Sequence, residues 1–309
     1  MIKFYRNFFS LVLFLSVITV FLIFIFWWGI FGAKINNSEN IVFSVKKGEN
    51  FLTIGRNLEK EGLIKNRIFF YVYVLLKKEQ KNFKAGRYLL SSSMNIPQIV
   101  EKLTSGYIEK VKITIPEGST LKDIEEKLKI QLKGENLEGY LFPDTYYLPV
   151  GFTSEEVIKI MRENFERKIA PYKNEIEKSG KSLQEIIIMA SILEKEAKSK
   201  KDKEIISGIL WKRLKAGIPL QVDSTLTYIT GKTSKELTAD DLEIPSPYNT
   251  YKYKGLPPTP ICNPGLESIL AALRPKESEY WYYFSTPEGR VIFSKTLLEH
   301  NFAKEKYLW

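Results

Sequence analysis

The chain of 309 residues is poorest in the residue types that most often carry metal and nucleophilic chemistry: it has one histidine, His300, and one cysteine, Cys262. One cysteine excludes an internal disulfide, and the pair cannot build a Cys/His zinc cluster. A Ser-His-Asp triad would have to use His300, and a Cys-His pair would consume both residues. His300 is instead expected to pack beside the last helix, and Cys262 to be an unreactive loop thiol. No metal and no cofactor is expected. Acid/base chemistry is left to carboxylates, lysines or tyrosines.

Acidic residues are also missing from one stretch. Residues 1–33 hold no Asp or Glu, and Phe8–Ala33 holds no charge at all. As a helix this run would be roughly 39 Å long, more than the ~30 Å of a bilayer core. Trp27 and Trp28 near its far end suit a membrane interface, and Lys3 and Arg6 before it place the short tail in the cytoplasm. The run is long for a signal peptide, and no A-x-A cleavage site follows. The expectation is a tail at 1–7, a single transmembrane helix at 8–33 and a linker at 34–40, with everything beyond outside the cytoplasm. The net charge is +10, and 10 − 2 = +8 without Lys3 and Arg6. Such a surface attracts polyanions, whether nucleic acid, anionic lipid or acidic wall polymer, or is simply solvated. The expected topology argues against nucleic acid.

Beyond the linker the chain repeats itself. Val45-Lys-Lys-Gly48-Glu-Asn-Phe51-Leu-Thr-Ile54-Gly-Arg-Asn-Leu58 matches Ile115-Pro-Glu-Gly118-Ser-Thr-Leu121-Lys-Asp-Ile124-Glu-Glu-Lys-Leu128, at an offset of 115 − 45 = 70. Each copy reads as a strand end, a glycine turn and an amphipathic helix, with Asn50 and Thr120 as N-caps. The pattern resembles the LysM-like module, a small βα unit that in many proteins binds N-acetylglucosamine polymers. A generic strand–turn–helix fits equally. Arg67–Leu76 reads as an apolar helix or strand, Arg87–Leu90 as a strand and Asn95–Leu103 as a helix. Further helices are expected over 153–165, 183–198, 202–215 and 297–307, and a hairpin over 280–294. Strands and helices mix without βαβ alternation, so the fold class is α+β. The expected units are a LysM-like module at 41–110 and a mixed helix/strand catalytic domain at 111–309, which contains the second repeat at 115–128.

Three segments carry candidate chemistry. Glu138-Gly-Tyr140-Leu-Phe-Pro-Asp144-Thr-Tyr-Tyr147 is either a packed aromatic turn or a loop that offers Glu138, Tyr140 and Asp144 to a sugar. The helix from Leu183 is apolar nearly all round and ends in Glu194 and Glu196. Apolar surroundings and the negative helix end both raise a carboxyl pKa, as a general acid requires. Equally, the two glutamates could mark where the helix leaves the core, and a spacing of two does not say which faces a cleft. The third segment runs from Arg213-Leu214 through Leu220-Gln221-Val-Asp223-Ser-Thr225 and Tyr228 to Ser246-Pro-Tyr248-Asn249-Thr-Tyr251 and Gly255-Leu-Pro-Pro258, where prolines stiffen the loops.

Glu138–Tyr146, Ala190-Ser-Ile-Leu-Glu-Lys-Glu196, Leu220–Thr225, Tyr248–Tyr251, Gly255–Pro258 and Asn263-Pro-Gly265, in this order, resemble the YceG-like endolytic murein transglycosylase family over about residues 40–309. The resemblance implies a bitopic cell-membrane lytic transglycosylase. Such an enzyme cleaves the MurNAc–GlcNAc β-1,4 bond within peptidoglycan glycan strands and leaves 1,6-anhydro-MurNAc ends. It implies Glu196 as the catalytic acid/base, with Glu194 as fallback. Gln221, Asp223, Tyr248 and Asn249 would then hold sugar and N-acetyl groups, and penicillin-binding proteins or other wall-synthesis proteins would be neighbours. Two other readings remain: a non-catalytic peptidoglycan-binding membrane scaffold, and a glycoside hydrolase with two carboxylates, Glu196 with Asp223 or Glu138.

Overall fold

The computed structural model describes residues 2–33 and 39–308. Most of the expected linker at 34–40 lies outside them. The chain divides into two compact units, the first comprising residues 1–111 and 147–152 and the second 112–146 and 153–309.

The first unit opens with helix α1 (Ile2–Phe31). Nothing in residues 2–7 breaks a helix, so the stretch expected as a tail forms its first turns. Leu11–Phe31 is long and apolar enough to cross a membrane, and apart from Gly29 and Ile30 near its end the protein itself does not bury it. Strand β1 (Asn40–Val45) then leads through a turn at Gly48 into α2 (Phe51–Lys60). Gly48 sits at φ +79°, a conformation that residues with a Cβ resist. Asn50 caps α2 by accepting from the Thr53 N–H. Helix α3 (Arg67–Lys77), strand β2 (Gly86–Ser91), α4 (Ile96–Ser105) and the first residues of β3 (Lys110–Thr114) follow. β1 and β2 pair antiparallel, with Phe43 opposite Tyr88 and Val45 opposite Gly86. The alternation of β1 sends Phe43 and Val45 inward, where they meet Ile54 and Leu58 of α2, Phe70 and Val74 of α3, and Ile99 and Leu103 of α4. The stretch Arg67–Leu76 is therefore a helix, and its aromatic residues had left that open.

The second unit begins within β3, and its own Gly118 turn (φ +77°) leads to α5 (Leu121–Leu128), capped by Thr120 and Asp123 in a reciprocal box. β3 pairs with β4 (Thr145–Pro149). Helices α6 (Ser154–Ile169), α7 (Lys173–Lys178), α8 (Leu183–Glu196), α9 (Lys200–Lys215), α10 (Asp223–Thr230) and α11 (Leu266–Leu273) follow. A hairpin of β5 (Tyr282–Ser285) and β6 (Val291–Ser294), then α12 (Leu297–Leu308), end the described chain. The core is built around α8. Ile186 through Leu193 are all buried, with α11 against one flank and α9 against another. Each such Ile or Leu contributes about 1.5–3 kcal/mol. This anchorage fixes the end of α8, which carries Glu194 and Glu196.

Candidate active site

Helix α8 stops because Ala197 turns to extended backbone (φ −145°, ψ 151°), leaving Glu196 as its last helical residue. The two glutamates of that last turn have different fates. Glu194 Oε2 accepts from the Gly265 N–H at 2.8 Å and the Ser268 hydroxyl at 2.7 Å, while Oε1 accepts from the Lys203 ammonium at 3.2 Å. Lys203 is itself buried, so this is an internal ion pair with its remaining valences filled by α11. Glu196 points elsewhere, into a cavity of about 710 Å³ that it lines together with Arg213, Gln221, Asp223, Tyr251 and Tyr283.

Three influences converge on Glu196. The first is the start of α10. Its N-cap, Val222, has no side-chain acceptor, so the first N–H groups of the helix lack the usual local partner. The Glu196 carboxyl sits there instead, favoured in its ionised form by the Ser224 N–H and hydroxyl. The hydroxyl makes no hydrogen bond of ordinary geometry. The second is the hairpin. Strand alternation sends Tyr282 and Phe284 to one side, against the His300 ring, and Tyr283 to the other. The Tyr283 hydroxyl donates to Glu196 Oε2 at 3.1 Å. The third is Asp223, whose charge adds to burial in opposing ionisation of Glu196. Burial is the larger cause, and the net result is a carboxyl group that holds its proton above the ordinary glutamic range.

The cavity walls are braced. Gln221 adopts a left-handed backbone (φ +56°), uncommon for a residue with a side chain. Thr250 holds it there: its carbonyl accepts from Gln221 N–H at 3.0 Å and its hydroxyl from Val222 N–H at 3.1 Å. The Gln221 side chain accepts from Arg213 at 2.5 Å, and Arg213 also donates to the Pro219 and Trp281 carbonyls. Tyr251 donates its hydroxyl to Asp223 Oδ1 at 2.5 Å. Burial and this bond push the Tyr251 hydroxyl well above the usual phenol range, so it stays a donor.

Other expected site residues lie apart from this cavity. Asn249 is fully buried, and its amide is saturated: Nδ2 donates to the Leu242 and Ile244 carbonyls, and Oδ1 accepts from the Tyr251 and Lys252 N–H groups. That leaves no valence for a sugar. Tyr248 bonds Thr259 through its hydroxyl at 2.6 Å and packs on Tyr228. Asp144 accepts from Asn164 and pairs with Lys168. Glu138 and Tyr140 line a separate cavity of about 1100 Å³. Glu138 is heavily engaged there, accepting from Leu121 N–H, the Asn263 amide and Tyr228, and burial pushes its pKa up to about 7. His300, on α12, is held neutral by burial, with its pKa lowered to about 4. The Cys262 thiol donates to the Ser191 carbonyl, and burial pushes its pKa far up.

Residues 43–306 match the model of the YceG-like family. The chain belongs to that family. It is 36% identical to the endolytic murein transglycosylase of Bacillus subtilis, over 88% of this chain and 86% of that protein. It is 28% identical to the endolytic murein transglycosylase of Streptococcus pneumoniae strain D39, over 86% of this chain and 58% of that protein. A crystal structure of a YceG-like protein from Listeria monocytogenes is similar at a TM-score of 0.58 with 35% identity, covering 87% of this chain and all of that one.

In this YceG-like chain two groups stand out among the residues of the six segments. Glu138, Glu194, Asn263 and Gly265 tie loops together. Asn263 accepts from Leu141 N–H and donates to Ser119 O and Glu138, and its backbone joins the Gly118 turn. Glu196, Gln221 and Asp223 face open space. Sequence reasoning placed Arg213 and Ser224 in a candidate segment without giving either a role, and it did not single out Tyr283. The alternation of Tyr280–Ser285 was the available signal, since one of its two aromatic faces had to meet something other than the last helix.

Proposed function

We propose that the chain is a peptidoglycan lytic transglycosylase that cuts within glycan strands, with Glu196 as its single general acid and base. The observation that carries this reading is the contrast on one helix turn: Glu194 is locked in an ion pair, whereas Glu196 lines the cavity, where burial raises its pKa. The curated relatives named endolytic murein transglycosylase support the substrate class.

The chemistry rests on the groups present. Tyr283 occupies Glu196 Oε2 as a donor, so the acid proton is carried on Oε1. Neutral Glu196 protonates the glycosidic oxygen of the MurNAc–GlcNAc β-1,4 bond, and that C1–O bond breaks. Positive charge develops at the MurNAc C1, and the Asp223 carboxylate in the same cavity favours it. Ionised Glu196, now stabilised by Tyr283 and the α10 N-terminus, takes the proton of the MurNAc 6-hydroxyl. That oxygen attacks C1 and closes the 1,6-anhydro ring. No water is consumed, so a second carboxyl group to activate one is unnecessary. Gln221 and Asp223, which line the cavity with Glu196, are read as the side chains that meet the sugar. Asn249 is assigned to the loop instead.

α1 is read as the membrane anchor, with the basic N-terminal end in the cytoplasm and the catalytic unit outside. The β1–Gly48–α2 module is read as LysM-like and glycan-binding. In the test of the catalytic reading, Glu196→Gln is expected to lower strand cleavage about 10²–10⁴-fold while still binding strands; undiminished cleavage would refute it. Asp223 in the same cavity also suits a two-carboxylate hydrolase, which reducing rather than anhydro ends would reveal.

A further inference from the structure

Helix α3 is apolar on the side that turns away from its own core. From Ile68 to Leu76 it carries no charge. Phe70 and Val74 are fully buried, whereas Ile68, Leu75 and Leu76 are 59%, 51% and 68% exposed. Positions 68, 72, 75 and 76 share one helical stripe, where a helix facing water carries polar residues. A helix apolar all round is one that is covered all round. Here the core covers one side only.

The contacts of α1 indicate what covers the other. The Phe69 ring lies edge-on to Phe26 with centroids 5.8 Å apart. A Cβ on Gly29 would come within 2.6 Å of the same ring, so the two helices touch closely. The Lys65 ammonium sits 5.5 Å above the Trp28 ring. Phe26 is five residues short of the end of α1 at Phe31, roughly 8 Å along the axis. It lies inside the segment long enough to span a bilayer. Whatever apolar medium surrounds the last two turns of α1 therefore reaches Phe69 and the exposed stripe beside it.

We infer that α3 is an interfacial membrane helix, seated beside the end of α1. This rests on the reading of α1 as a membrane span. Ile68, Val72, Leu75 and Leu76 enter the acyl boundary, to a depth of about 5–10 Å as such helices do. Lys65 at one end and Lys77 and Lys78 at the other meet anionic lipid headgroups. Two elements, rather than a single tether, then hold the first unit to the lipid surface.

The test uses the full chain in nanodiscs containing phosphatidylglycerol. Native Cys262 is buried and stays unlabelled. Nitroxide labels are placed singly at Phe21→Cys in α1, at Leu76→Cys, and at Lys254→Cys as a water-exposed reference. Each variant is first shown to cleave glycan strands as the parent does. Accessibility to oxygen, which concentrates in lipid, is compared with that to a water-soluble nickel chelate. The expected result is an oxygen-to-nickel ratio at Leu76 several-fold above that at Lys254 and close to that at Phe21. A Leu76 label that behaves like Lys254, or is shielded from both reagents, overturns this inference and leaves the anchor intact. A Phe21 label open to nickel overturns the spanning reading, and this inference with it.

Discussion

Glu194 and Glu196 stand two positions apart on the last turn of α8 and meet opposite surroundings: the first accepts from Gly265, Ser268 and Lys203, the second from Tyr283 at the wall of a cavity. Their substitution should separate stability from catalysis. Glu194→Ala leaves the buried Lys203 short of a partner and should cost about 3–5 kcal/mol. Glu196→Gln removes a carboxyl group that burial disfavours, and should melt at or above the parent temperature. Thermal melts of both variants beside strand-cleavage assays check this; a Glu196→Gln variant as unstable as Glu194→Ala would mean the site is mainly structural.

The raised pKa of Glu196 fixes the sign of two pH effects. The folded protein binds this proton more tightly than the unfolded chain does. Its contribution to stability is therefore full below the ordinary glutamic value near 4.5 and is lost as pH rises through the raised folded value. The melting advantage of Glu196→Gln over the parent should grow across that same window. Cleavage should fall on the basic side of the profile, because the acid form is lost. A gap in melting temperature that narrows as pH rises would contradict the assignment.

Tyr283→Phe removes a donor that stabilises the ionised form of Glu196. Hydrogen bonds to charged groups contribute about 1.5–3 kcal/mol, so the basic limb of kcat/KM should move up by about one to two pH units. The rate at the optimum should fall, since the second proton transfer needs that stabilised carboxylate. An unmoved basic limb would show that Tyr283 only packs.

Asn249→Ala should act as a structural lesion. It removes a fully buried side chain that makes four hydrogen bonds to its loop, leaving carbonyls and N–H groups unpaired at about 1–3 kcal/mol each before relaxation. The melting temperature should drop sharply. Were the variant to keep its stability and lose only substrate affinity, Asn249 would have to reach the sugar after all.

Glu138→Gln offers a control outside the cavity of Glu196. Its carboxyl accepts from Leu121 N–H, Asn263 and Tyr228, and one amide NH2 must face one of these donors. At low pH the change should destabilise. Because the parent pKa is raised to about 7, its stabilising proton is lost between about 4.5 and 7. The deficit of Glu138→Gln should therefore shrink over that range, which melts at pH 5 and pH 7.5 would show.

Much of the local structure could be read from spacing and caps. The turn glycines Gly48 and Gly118, the caps Asn50, Thr120, Thr153 and Ser182, and the hairpin all arise from local chemistry. Helix α10 escaped because Ser and Thr dilute its apolar pattern and Val222 supplies no cap. The choice between Glu194 and Glu196 could not be made from spacing, since their partners come from Gly265, Ser268 and Tyr283, many residues away. Asn249 looked like a ligand residue for a related reason. A proline-rich loop has few backbone partners of its own, and the buried amide that satisfies it resembles a binding group until its bonds are counted.

The central claim, one carboxyl group and an internal nucleophile, is tested most directly by digesting purified glycan strands with the full chain in water enriched in oxygen-18. The account predicts anhydro-MurNAc ends carrying no heavy oxygen. New reducing ends labelled with oxygen-18 would show that water is the nucleophile and would contradict it.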